Sequence, residues 1–272
     1  MPLSDRFDAF DEAHPSGKLR IAGVEWEYIA GGSDPLSVVL LGGGGTTCDS
    51  MFTVHEALEE RAKVVAISVP TGVTTAEAAT AGIVAIMDSL GMRRSVLVGH
   101  SLGGMLAQAF AVRYPDRVNG PVLANTGHYL GLRAKLVPLY IRLAVAAPAG
   151  LNARLVSAQI TRLLGDVEDA AFWKDFCRSE LDEVRLQSHL RLMLDLVQGF
   201  QQQPISSDLE WTRRLPVQII ASEDDRGFTR REIDYLASLY PRAETLLFSK
   251  GGHLTFLTHR EESVGPIFRL LR

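Results

Sequence analysis

The stretch Ser95 to Gly104, S-V-L-V-G-H-S-L-G-G, restricts the fold more than any other in this 272-residue chain. Val96 to Val98 is apolar and β-branched-rich and predicts a buried strand, and Gly104 to Ala111 is rich in helix formers. A strand therefore passes into a helix through Gly99-His100-Ser101-Leu102-Gly103. So tight a turn leaves no room for a Cβ beside the serine, which explains the flanking glycines. It also holds the Ser101 hydroxyl at the amino end of a helix, where negative charge is favoured. G-x-S-x-G is common as a bare string and can be an ordinary Gly-Ser turn; between a strand and a helix it marks Ser101 as a candidate nucleophile. A serine hydroxyl attacks only when a base takes its proton and a carboxylate orients that base, so the chain must supply both.

The rest of the chain alternates around this unit. Leu19–Ile29 reads as a hairpin turning at Gly23, and Ser37–Leu41, Lys63–Val69 and Val118–Ala124 as strands. Helices are expected over Phe52–Arg61 and Thr74–Leu90, the latter with Thr75 as N-cap and Gly91 just past its end. Strand–helix alternation of this kind implies an α/β fold with a mainly parallel central sheet, right-handed crossovers and helices on both faces. From Thr126 to about Trp211 no strand is expected. Helices are read around Leu132–Ala147 with a kink at Pro138, and over Leu151–Leu164, Asp169–Ser179 and Asp182–Gln202. Alternation resumes with strands Val217–Ala221 and Ala243–Phe248 and helices Thr229–Leu239 and Arg260–Leu271. Residues 1–126 and 212–272 are thus expected to form the core, and 127–211 an inserted helical cap whose apolar stripes partly line a pocket. His128, Tyr129 and Tyr140 are cap residues that either face that pocket or pack within the cap.

Composition narrows the function classes. A net charge of −4 gives no basic surface for nucleic acid or anionic lipid, and no apolar run is long enough to span a bilayer. The polar, mixed-charge start is not that of a signal peptide, and Cys48 and Cys177 are far apart with no metal-ligand spacing. The expectation is a cytoplasmic monomer or homodimer with two free thiols and no metal or cofactor, acting on a small, largely apolar molecule.

The partners of Ser101 are sought where parallel strands end, because the carboxyl ends of such strands share one edge. His253, in Ser249-Lys250-Gly251-Gly252-His253 after the last strand, is the candidate base, with His259 as the fallback. The acid falls after the preceding strand, in Ala221-Ser222-Glu223-Asp224-Asp225, where three carboxylates compete; the order Ser101, Asp225, His253 fits a Ser–Asp–His arrangement. An oxyanion needs two fixed N–H donors. Leu102 offers one from the helix start, and the run Gly42-Gly43-Gly44-Gly45 after the Ser37–Leu41 strand offers the other.

G-H-S-L-G-G at Gly99–Gly104, Tyr114-Pro115-Asp116-Arg117-Val118, Ser222-Glu223-Asp224-Asp225 and Gly252-His253 together resemble the α/β-hydrolase superfamily, over about Leu19 to Leu271. The resemblance implies the α/β-hydrolase fold with a cap, and selects Asp225 over Asp224 by its place in the segment. By position it makes Gly44 the second oxyanion donor, with Gly43 next. Two departures stand out. The His-Gly-aromatic segment of relatives is replaced by Gly42-Gly43-Gly44, which implies a more mobile loop, and D-x-P-G-x-G by Ser68-Val69-Pro70-Thr71-Gly72. A serine nucleophile implies hydrolysis of an ester, thioester or lactone through an acyl-enzyme. Carbon–carbon bond hydrolysis, or acyl transfer in a biosynthetic pathway, are alternatives on the same triad, and a non-catalytic ligand receptor or scaffold is the alternative of another class.

Overall fold

The computed structural model describes residues 1–33, 35–147, Leu163, 169–180 and 182–271. Its strands are β1 (Gly17–Ile21), β2 (Val24–Gly31), β3 (Ser37–Leu41), β4 (Lys63–Ser68), β5 (Ser95–His100), β6 (Val118–Ala124), β7 (Val217–Ser222) and β8 (Ala243–Phe248). They form one sheet in the order β1-β2-β4-β3-β5-β6-β7-β8, in which the β1–β2 and β2–β4 pairings are antiparallel and the pairings from β4 to β8 are parallel. The β1–β2 turn places Ala22 and Gly23 at φ 49° and 84°, the left-handed pair that a two-residue hairpin needs.

Helices cover both faces: α1 (Leu3–Ala13), α2 (Phe52–Glu59), α3 (Ala76–Ser89), α4 (Leu102–Arg113), α5 (Gly131–Ala146), α6 (Ala170–Ser179), α7 (Glu183–Gln202), α8 (Glu210–Arg214), α9 (Arg230–Ser238), α10 (Thr255–Thr258) and α11 (Arg260–Leu270). Every residue of β3, β5 and β7 is buried, as expected of parallel strands covered on both sides. Their side chains alternate between two apolar clusters. Val39, Leu41 and Leu97 join Ile83 and Phe110 on one face, while Val38, Leu40, Val96 and Val98 join Phe52 and Ile267 on the other. Thr75 caps α3 by accepting the Ala78 N–H, and Gly91 follows with φ 68°.

Between β6 and β7 the described residues contain helices α5 to α8 and no strand. Most of the helix expected over Leu151–Leu164 lies outside the described residues. In α5, Leu136, Leu139, Tyr140 and Leu143 are half exposed or more, so their apolar stripe is not the inner face expected of them. α1 was not expected from the polar N-terminal sequence; it docks by one buried residue, Phe10, against Phe52 and His55. No described helix is long and apolar enough to cross a membrane.

Two glycines predict opposite outcomes. A Cβ on Gly82 in α3 would lie 2.0 Å from the Trp26 ring, whereas one on Gly199 in α7 would meet nothing within 4 Å. Gly82→Ala is expected to lose about 1–3 kcal/mol through overpacking, against a propensity gain of about 1 kcal/mol. Gly199→Ala is expected to gain about 0.5–1 kcal/mol. Thermal unfolding of the two variants checks the sign, with Tm lowered in the first and raised by about 2–4 °C per kcal/mol in the second.

Candidate active site

β5 ends at His100 and α4 begins at Leu102, so the direction of the chain reverses at Ser101 alone. Ser101 has φ 52° and ψ −114°, a conformation that costs an L-residue on the order of 1–3 kcal/mol. The turn is over-determined by its neighbours. The Ser101 N–H donates to Ala124 O at 2.9 Å, and Thr126 Oγ1 donates to Ser101 O at 2.8 Å. The glycines are required by contact: a Cβ would stand 2.3 Å from Gly103 O at Gly99 and 2.1 Å from Leu41 O at Gly103.

The loop after β8 brings His253 over this serine, with Nε2 2.9 Å from Ser101 Oγ. On the other side of the ring, Nδ1 lies 2.9 and 3.2 Å from the two carboxylate oxygens of Asp225. An Nδ1–H donated to Asp225 leaves the Nε2 lone pair to accept the Ser101 proton, the tautomer a general base needs. Asp225 also accepts the Gly227 N–H at 2.6 Å and the Asn125 Nδ2–H at 3.2 Å. Burial is the strongest single influence and would raise its carboxyl. The adjacent His253 and these hydrogen bonds together outweigh it and hold the group below the usual carboxylate range.

The neighbouring carboxylates have other partners. Asp224 accepts the Gly252 N–H at 2.9 Å, and Glu223 is exposed, 3.9 Å from Arg230. His259 packs on Phe248 with ring centroids 4.7 Å apart and contacts Thr258, not Ser101.

Sequence reasoning missed two supports. Asn125, just past β6 with φ 45°, bonds both Asp225 and Gly252 O, the latter at 3.1 Å. His100, the second residue of the motif, donates Nε2–H to His253 O at 2.7 Å, and burial holds its own pKa down at about 4. The available signal was a polar residue directly after a buried strand on the edge that carries Ser101.

The glycine loop borders the same serine. A Cβ on Gly43 would lie 3.8 Å from Ser101 Cβ, and one on Gly44 3.6 Å from the Leu102 side chain. The Gly45 N–H is donated to His189 Nδ1 at 2.8 Å, while the Gly43 and Gly44 N–H groups have no acceptor among the described residues. The Leu102 N–H belongs to the first turn of α4, where no intrahelical carbonyl can reach it. Gly43, Gly44, Ser101 and His253 line a pocket of about 120 Å³ walled by Leu163, Trp173, Phe176, Leu254 and Leu257. Cys177 also lines it, and burial pushes its thiol up to about 11, too high for a thiolate nucleophile near neutrality. His128 and Tyr129 line a different cavity, beside Phe200 and Tyr235.

An α/β-hydrolase fold family model matches residues 37–260. The chain is 27% identical over 251 residues to polyketide synthase ThaQ of Burkholderia thailandensis, covering 88% of this chain and 12% of that protein. It is 28% identical over 194 residues to a 2-hydroxymuconate semialdehyde hydrolase of Pseudomonas putida, covering 65% of this chain and 62% of the relative. The chain thus spans less than two thirds of either relative's length. Among solved structures, a thermophilic esterase from Thermogutta terrifontis superposes with a TM-score of 0.76 at 20% identity, over 94% of this chain and 98% of that one, a likeness of fold. With the family match spanning β3 to β8, the Ser101 turn and the His253 loop, the chain belongs to the α/β-hydrolase fold family.

Proposed function

We propose that the protein is a serine hydrolase that cleaves an ester, thioester or lactone through an acyl-enzyme on Ser101. The observation that carries this reading is the continuous chain from Ser101 Oγ to His253 Nε2 at 2.9 Å and from His253 Nδ1 to Asp225 at 2.9 Å. His253 takes the Ser101 proton as Oγ attacks the acyl carbon. It returns that proton to the leaving oxygen or sulfur, then activates water against the acyl-enzyme by the same route. Asp225 fixes the ring and stabilises the imidazolium. The Leu102 N–H and the N–H of Gly44 or Gly43 hold the oxyanion. The helices within residues 127–211 act as a cap that closes the pocket over a core of residues 1–126 and 212–272.

The pocket favours a small, uncharged acyl group. Its volume of about 120 Å³ is close to that of a cavity that accepts benzene, at about 150 Å³. Carbon–carbon bond hydrolysis on the same triad is the alternative, since one relative is named for a muconate, a carboxylate. Among the described residues no lysine or arginine lines the pocket, and an unpaired carboxylate buried against them is costly.

Two outcomes are expected. Asp225→Asn lowers kcat by about 10³–10⁴-fold by favouring the wrong tautomer of His253, while Asp224→Asn lowers it by about tenfold or less. Steady-state kinetics on p-nitrophenyl butanoate check this, and the reverse ranking overturns the acid assignment. Across p-nitrophenyl esters, kcat/KM is expected to peak at about four to six acyl carbons and fall at least tenfold by dodecanoate, in keeping with the pocket volume. A rate that climbs steadily with chain length contradicts the small-acyl assignment.

A further inference from the structure

The loop bearing the proposed oxyanion donors is not left to its own glycines. His189 lies on α7 and is buried, between two loops that end neighbouring strands. Its Nδ1 accepts the Gly45 N–H at 2.8 Å, and its Nε2–H donates to Val69 O at 3.0 Å. One neutral ring thereby ties the loop after β3 to the loop after β4. Burial is the main cause that holds this histidine below its ordinary range. The Val69 hydrogen bond works the other way, and Arg185 adds to the lowering. The ring therefore keeps a lone pair on Nδ1 at neutral pH.

α7 is itself fastened to the core around His189. Ser188 Oγ accepts the Gly72 N–H at 3.0 Å, and Asp195 Oδ2 accepts the Ala76 N–H at 2.8 Å at the start of α3. A second tie comes from the end of α6, where Glu180 accepts the Thr47 N–H at 3.1 Å. The His189 and Ser188 contacts fall on or directly beside the two segments where the sequence departs from the pattern the resemblance implies, Gly42–Gly44 and Ser68–Gly72.

We propose that His189 is a positioning residue for the oxyanion loop: by holding the Gly45 N–H from outside, it turns the preceding amides of Gly43 and Gly44 toward the substrate oxygen. This rests on the hydrolase reading above and deepens it. Donor alignment in a ground state that already has the right shape lowers the barrier without altering substrate affinity, so the effect belongs in kcat rather than KM. Gly45 has φ 86° and ends a run of four glycines, so without the tie the loop has many conformations of similar energy.

Two substitutions separate the two halves of the tie. His189→Asn puts an amide oxygen where Nδ1 stands and keeps the acceptor for Gly45. His189→Gln puts an amide nitrogen where Nε2 stands and keeps only the bond to Val69. With p-nitrophenyl butanoate, H189Q is expected to lose about a hundredfold in kcat with KM within twofold, and H189N to stay within about fivefold of the wild type. Hydrogen exchange over residues 42–47 is expected to accelerate in H189Q and not in H189N, with α4 unchanged in both. Equal kcat and equal loop exchange in the two variants overturn the proposal. If the wild type hydrolyses no ester, the hydrolase reading falls while the exchange comparison still decides the tie. If H189Q does not fold, the ¹⁵N spectrum of the wild-type ring decides: the Nε2–H tautomer with an acceptor Nδ1 supports the tie, and an Nδ1–H tautomer excludes it.

Discussion

Everything in this molecule that bears on chemistry depends on one backbone turn, Ser101 at φ 52° and ψ −114°. A residue does not hold that conformation unaided, and here the surrounding backbone imposes it. Leu41 O from β3 sits where a Gly103 Cβ would be, Ala124 O from β6 takes the Ser101 N–H, and α4 packs so close that Gly99 has no room for a side chain. The strands that supply these contacts, β3 and β6, are almost wholly buried and pair in parallel on either side of β5. The strain at the serine is thus balanced by the apolar packing of both sheet faces, and the hydroxyl is aimed before any substrate arrives.

The sheet edge then gathers the remaining groups in layers. Asp225 and His253 follow β7 and β8, and their loops are held by hydrogen bonds from the surrounding groups: Asn125 on Asp225, Asp224 and Ser222 on the Gly252 backbone, His100 on His253 O. The glycine loop after β3 is held from the opposite side, by His189 and Glu180 of the helical segment between β6 and β7. That segment therefore shapes one wall of the pocket with Trp173 and Phe176 and also contacts the backbone that borders Ser101. The loop expected to be mobile because it lacks a histidine has one after all, delivered by a helix 144 residues further along the chain.

What the sequence reveals and what it withholds follow from the range of the interactions. Alternating apolar runs and capping residues are local, so the succession of strands and helices along the chain and the ends of α3 were legible, with Thr75 capping that helix. The strand–turn–helix around Ser101 is local too. The choice among Glu223, Asp224 and Asp225 is not, because it depends on which side chain the β7–β8 edge turns toward His253; the resemblance picked Asp225, whose carboxylate lies 2.9 Å from His253 Nδ1. Helix α1 escaped notice because it buries only Phe10 fully, and the half-buried Phe7 beside it packs on Phe52 and Phe176 from elements far along the chain. The exposed leucines of α5 were misread because a helical apolar stripe does not say whether another element covers it. His189 carried no signal at all, since a lone histidine on an amphipathic helix looks like any core polar residue.

The central claim is that Ser101 is an activated nucleophile rather than a serine in a tight turn of an inert ligand-binding scaffold. The most direct measurement is intact-protein mass spectrometry after incubation with an alkyl fluorophosphonate, followed by peptide mapping. The account predicts one covalent adduct per chain, on Ser101, formed within minutes near neutral pH and absent from a His253→Ala variant that remains folded. No adduct on the wild-type chain, or an adduct on Ser101 that forms equally fast without His253, would contradict it.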